Sequence, residues 1–221
     1  MAKKKKLGKI ERPSAEEFKR GRKLYFVPLI YCGRESHTEY QKKFNRYWNQ
    51  VETQMSDLEL KLGQVDKIYH ELISVAGDDG VKAIKELNDK SYQIIGNRLH
   101  KGAQLEAVEQ SELLAEFMDW SRCLSVGLLT PKVFTKVYES YTEVSRGRNE
   151  HITKQIDETL KEDETGVLFM REGHQVQFPS DIQVIYVAPP ALDEINRWLR
   201  DREAKPSPKG NRAPGDKGGS Q

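Results

Sequence analysis

Two segments of this 221-residue chain place a histidine and an acid directly after an apolar run. Residues 24–31 lead into Cys32-Gly33-Arg34-Glu35-Ser36-His37, and residues 166–170 lead into Arg171-Glu172-Gly173-His174. A third run carries His70 and Glu71, and Glu106 and Glu109 follow in a weaker one. Imidazole and carboxylate together carry protons or ligate Zn, Mn or Fe. His37, Glu71 and His174 are therefore candidate catalytic and metal-ligating residues, and Glu106 and Glu109 could point toward the same end. Glu71 would serve as general base or ligand, and the two histidines as ligands or proton carriers. The cofactor such a site implies is a divalent metal of unknown identity. The trio shares an edge if each member lies on or just after a parallel strand, because such strands end on one side and open α/β sheets bind ligands there. The same residues also have ordinary uses. Ser36-His37-Thr38 suits a helix N-terminus, and no spacing matches HExxH. His100 and His151 fall on helical stretches and read as surface residues.

Other chemistries lack their residues. No GxGxxG follows a strand and no GxxxxGK[ST] occurs, which removes Rossmann dehydrogenases and P-loop ATPases. No GxSxG elbow is present for a serine hydrolase. Cys32 and Cys123 form neither a CxxC nor a zinc-finger spacing, so dithiol redox chemistry and structural zinc of the usual kinds drop out.

The elements that must position the candidates alternate between short β-rich runs and longer helical ones, the pattern of an α/β fold. Residues 24–31 read as a strand buried on both faces, although Pro28 would cost a central strand one ladder bond. From Tyr40 the apolar residues fall at 44, 47, 48, 51, 55, 58 and 62, a helical spacing closed by Gly63. Trp48, Val51, Met55 and Leu58 should form its buried face. Residues 67–73 predict a second strand, and Val81 to Gly102 a helix with a break. Residues 104–109 (QLEAVE) read as a third strand or as the opening of the helix carrying Phe117 and Trp120. Thr130-Pro131 starts a further helix as N-cap and N1. Another helix, through Ile152, Ile156 and Leu160, begins at Arg146-Gly147-Arg148-Asn149. GVLFM and QVIYV predict two late strands, and Leu192, Ile195, Trp198 and Leu199 a closing helix. The sum is one α/β domain over residues 21–203, a small mostly parallel sheet flanked by helices, with a helical insert at about 110–145.

Four pieces of this order, GRESH after the first strand, YHEL in the second, SRGRNEHITKQIDETL at a helix start and GVLFMREGH late in the chain, resemble the TraB, ChaN and erythromycin-esterase group of α/β proteins. The likeness is best over residues 145–200. It implies a site made by His37, Glu71, Arg148, Asn149 and His174, with Arg148 as a clamp for an anionic substrate group, in a family whose members hydrolyse or bind ligands. Two positions depart from the group's pattern: Arg171 stands where the late GxxH motif has Gly, and Gly33 precedes His37 by four residues instead of three.

Composition bounds the partners. At 37% hydrophobic, 32% charged and mean hydropathy −0.74, with no long apolar run, the chain reads as cytoplasmic, with no membrane span. The formal charge of +2 is unevenly placed. Residues 1–23 hold ten Lys or Arg against three Glu, and residues 204–221 hold four against one Asp, so both ends are basic and the body between them is acidic. A basic N-terminal extension (1–20) and a Pro- and Gly-rich tail (204–221), expected to be disordered, could make weak contact with RNA or another polyanion. Two functions are therefore open. One is a polar site at the strand ends that hydrolyses or binds a small molecule. The other is a non-enzymatic module whose acidic body meets a protein partner while the ends hold RNA or another polyanion.

Overall fold

The structure, a computed structural model, describes residues 20–33 and 35–203. The basic N-terminal extension up to residue 19 and the tail from residue 204 lie outside the described residues.

The first strand, β1 (Lys23–Pro28), is buried along its whole length. Its alternation sends Tyr25 and Val27 to one face of the sheet and Leu24 and Phe26 to the other. Pro28 closes the strand after its pairing with the edge strand has ended at Phe26, so the missing N–H interrupts no bond of that ladder. The chain then forms α1 (Thr38–Leu62), whose Trp48, Val51 and Met55 are buried, with Leu58 half-buried on the same core. Gly63 caps this helix at φ 126°, a backbone region that disfavours a side chain.

Next come β2 (Lys67–His70), α2 (Gly77–Leu87), α3 (Asp89–Leu99) and β3 (Gln104–Leu105). The break expected between Val81 and Gly102 falls at Asn88, whose side chain accepts from the N–H groups of Lys90 and Ser91 to start α3. The QLEAVE run resolves into a two-residue strand followed by an extended loop to Glu109.

The hairpin of α4 (Ser111–Ser125) and α5 (Pro131–Thr159) differs most from expectation. Residues 131–159 are one helix of 29 residues, so Arg146-Gly147-Arg148-Asn149 lies in its interior and starts nothing. A single helical Gly costs only about 1 kcal/mol relative to Ala, too little to end a helix anchored at both sides of it. The first half of α5, with α4, forms an arm in which few side chains are buried, and the second half packs Ile152 and Ile156 on the sheet.

Strands β4 (Thr165–Met170) and β5 (Gln183–Tyr186) and helix α6 (Pro190–Glu203) complete the chain. All pairings are parallel, in the order β3-β2-β4-β1-β5. Helices α1, α2, α3 and α6 pack on the face carrying Tyr25, Ile68, Val167 and Phe169. Helix α5 and the loop after β4 cover the other, with Phe26, Tyr69, Leu168 and Met170. No helix among the described residues is long and apolar enough to cross a membrane.

Candidate functional site

Glu71 is the residue immediately after β2. Strand alternation continues through it: Ile68 and His70 face the α1 layer, so Tyr69 and Glu71 face α5. Its N–H donates to the Phe169 carbonyl at 2.8 Å, which keeps it in register with β4. The next residue, Leu72, takes a left-handed conformation at φ 69°, costing a non-glycine residue about 1–2 kcal/mol. That turn aims the Leu72 N–H at Glu109 Oε1, 3.0 Å away.

Arg148 reaches the same point from α5. It lies in phase with Val144, Ile152 and Ile156 on the helix's inward stripe, one turn before the residues that pack on the sheet. Its Nε donates to Glu109 Oε2 at 2.8 Å, and Nη2 donates both to Glu109 Oε1 and, at 3.3 Å, to Glu71 Oε1. The guanidinium lies 4.6 Å over the Phe117 ring of α4. Arg171, the first residue after β4, closes the network: its N–H donates to Glu71 Oε2 at 2.8 Å, and its Nε and Nη2 to Oε1 at 3.1 and 3.0 Å. The side chains of Glu71, Glu109 and Arg148 are 2%, 0% and 5% exposed, while that of Arg171 is 48% exposed.

The two pairs fix each other's ionisation. Burial opposes the charge on Glu71, but the hydrogen bonds and charge of Arg171, with the charge of Arg148, outweigh it and hold the carboxyl below its ordinary range. Burial likewise opposes the charge on Arg148, and the Glu109 carboxylate overcomes it. Tyr31 faces this field. Burial, reinforced by Glu71, pushes its phenol up to about 12, and its buried hydroxyl has no partner among the described residues.

His174 stands beside the network. Its ring lies 4.8 Å from that of Phe26 and 5.9 Å from that of Phe178. Nδ1 accepts the Val176 N–H at 3.2 Å, so in the neutral ring the proton is on Nε2. Burial lowers its pKa, with the Glu71 charge working against the shift.

Glu71, Arg148, Asn149, Arg171 and His174 together line one open cleft of about 670 Å³ at the carboxyl ends of the strands, walled on its outer side by Phe117, Tyr138 and Tyr141 of the arm. His37 is not among them. It is the N-cap of α1, where Nδ1 accepts the Glu39 N–H at 3.2 Å and the ring lies 6.0 Å from Trp198 of α6. That is the opposite layer of the sheet, so the expected convergence of His37, Glu71 and His174 does not occur. Local capping chemistry places His37. The donor set does not fit a metal either: both Glu71 oxygens are held by arginine, His174 Nδ1 by a backbone N–H, and no group of three His, Cys, Asp or Glu among the described residues could hold an ion. The neighbouring His70 is fully buried. Its Nδ1–H donates to the Glu71 carbonyl and its Nε2 accepts from Ser91, and burial pushes its pKa down to about 4. Glu106 pairs with Lys67 at 2.7 Å, outside the network.

Three contributors are not among the expected site residues, although Glu109 is one of the carboxylates read as able to point toward the same end. Glu109 follows a strand of only two residues, too short for alternation to orient it. Arg171 was visible only as a departure from the GxxH pattern. The aromatic wall comes from the arm, whose position against the strand ends no local pattern encodes. In comparisons with known proteins, the chain matches no family model, no curated protein and no solved structure.

Proposed function

We propose that this chain is a ligand-binding α/β protein, similar in its site to the TraB, ChaN and erythromycin-esterase group, which holds an anionic small molecule against Arg148 and Arg171. The observation that carries the proposal is a four-charge network, three of its members almost fully buried, at the base of an open cleft beyond the strand ends. Such a network gains little stability over well-packed apolar side chains, and its location is where parallel sheets bind ligands. Four of the five residues implied by the resemblance, Glu71, Arg148, Asn149 and His174, line this one cleft, which supports the same assignment.

Binding is favoured over hydrolysis by the state of the bases. Glu71 is ionised but engaged by two guanidiniums, which makes it a weak proton acceptor, and the lone pair on His174 Nδ1 is spent. Arg148 is held by Glu109 through Nε and Nη2 and lines the cleft with Nη1 unpartnered among the described residues, which suits it to act as a preorganised clamp.

The test is a fragment set spanning acids, phosphates, amines and neutral amides, followed through ¹H–¹⁵N shifts of the full chain. Hits should move the amides of Ser145, Asn149, Gly173 and His174, and Arg171→Ala should weaken them. Hits confined to other surfaces, or none at all, would reject a ligand site here.

A further inference from the structure

We infer that the group held at the base of the cleft is a singly charged carboxylate on an aromatic or apolar body, and not a phosphate dianion or a cation. This rests on the ligand-binding assignment and deepens it.

The capacity left over in the charged network at the base consists of donors, and the one unpartnered buried hydroxyl of the cleft lining, that of Ser145, can donate as well as accept. Every oxygen of Glu71 and Glu109 already accepts at least one hydrogen bond, from Arg148, Arg171 or the Leu72 N–H. An ammonium or guanidinium ligand would find no unengaged carboxylate oxygen in this pair. By contrast, Nη1 of Arg148, Nη1 of Arg171 and the Nε2–H of His174 have no hydrogen-bond partner among the described residues, and all three residues line the cleft. Two guanidinium N–H groups and an imidazole N–H suit a planar acceptor with two oxygens.

Charge decides between the anions. The two arginines are matched one for one by Glu71 and Glu109, the neutral His174 adds nothing, and Glu172, whose oxygens accept from Tyr186 and Asn196, adds a negative charge to the cleft lining, so the base supplies donors without an excess positive field. A monoanion there carries one uncompensated charge, softened by three donors. A phosphate dianion would carry two in a half-enclosed site with two carboxylates already present, and like charges at that range repel strongly.

The walls describe the rest of the molecule. Phe117, Leu124, Tyr138, Tyr141 and Met170 face the same cleft. The hydroxyls of Ser121 and Thr142, which also line it, donate to the carbonyls of Phe117 and Tyr138 in their own helices, so their protons are spent. On the arm side of the cleft a flat or apolar body therefore meets aromatic and aliphatic side chains, with the Ser145 hydroxyl the one buried polar group left to satisfy.

The experiment titrates the full chain with four probes of one shape, 3-phenylpropanoate, 3-phenylpropanamide, phenyl phosphate and 2-phenylethylamine, reading the cleft amides by ¹H–¹⁵N shifts. The propanoate should bind at least about tenfold more tightly than each of the others, the difference one charge-assisted hydrogen bond makes. Arg171→Ala, its fold checked by circular dichroism, should remove most of that advantage while leaving the amide probe's affinity unchanged; His174→Ala serves where the arginine variant unfolds. Equal binding of propanoate and propanamide, or tighter binding of the phosphate or amine at the cleft, would overturn the carboxylate assignment and keep the ligand site. Failure of all four probes to shift the cleft amides would overturn both.

Discussion

The Arg148–Glu109 pair concentrates the cost of single changes. Arg148→Met leaves a fully buried carboxylate without its partner and should destabilise the fold by about 3–5 kcal/mol. Adding Glu109→Met should recover more than half of that loss, since two apolar side chains of similar volume replace two buried charges. Urea unfolding of the two single variants and the double variant measures it, and a double variant no more stable than Arg148→Met would mean that the two residues are not coupled. His70 sets a pH dependence. Its folded pKa of about 4 lies below the ordinary value of 6.5, so on acidification the unfolded chain takes up the proton first. Its contribution to stability is complete above about pH 6.5 and is lost progressively as pH falls toward 4. His70→Gln should flatten that part of the stability profile, as followed by thermal unfolding between pH 7 and 4. At this scale the sequence was partly legible. Glu71 is expected on or just after the second strand, where it lies, whereas Arg148 is expected at a helix start, and its inward phase with Val144, Ile152 and Ile156 emerges only because α5 runs through it. His37 illustrates the opposite: a polar residue after a strand reads equally well as a ligand or a cap, and only the layer it lands in separates the two.

Helix α5 joins a tightly packed half to a lightly held one without a break. Residue 147 is where this can be tuned. A Cβ added to Gly147 would meet only Leu113 Cδ2, at 3.8 Å, an ordinary contact. Gly147→Ala should therefore stabilise the protein by about 0.5–1 kcal/mol through helix propensity. The same change at Gly80 should do the reverse, because its Cβ would lie 2.2 Å from the Val75 carbonyl oxygen and 2.8 Å from Leu105 Cδ2. Thermal unfolding of both variants distinguishes the two cases, and a matching sign would contradict the packing described around one of them. Elements with long apolar periodicity, α1 above all, were legible from sequence because each carries its own 3.6-residue signal. The extent of α5 was not, since the Arg-Gly-Arg-Asn stretch resembles a boundary locally and is overridden by the packing on either side of it. The end of β2 was also misplaced: the apolar run continues to Ile73, but the left-handed turn at Leu72 stops the strand at His70.

At the scale of the whole molecule, the α/β class followed from alternating short and long apolar segments, whereas the order of the strands did not, because parallel partners are chosen across crossovers of tens of residues. That order bears on how the chain can be made. The two strands synthesised first, β1 and β2, are not neighbours: β4 lies between them and hydrogen-bonds to both. A nascent chain that has emerged only as far as α5 therefore has three of the described strands, β2 paired with β3, and β1 separated from that pair by an empty lane. Its main buried surfaces, those on Val167, Leu168 and Phe169, do not yet exist. Most of the polypeptide must leave the ribosome before the sheet can close, and at elongation rates of about 5–20 residues per second the interval lasts on the order of ten seconds or more. Until the six-residue segment Thr165–Met170 arrives, β1 and β2 lack the strand that both hydrogen-bond to, so Tyr25, Phe26, Trp48 and Ile68 cannot reach the full burial they have in the folded chain.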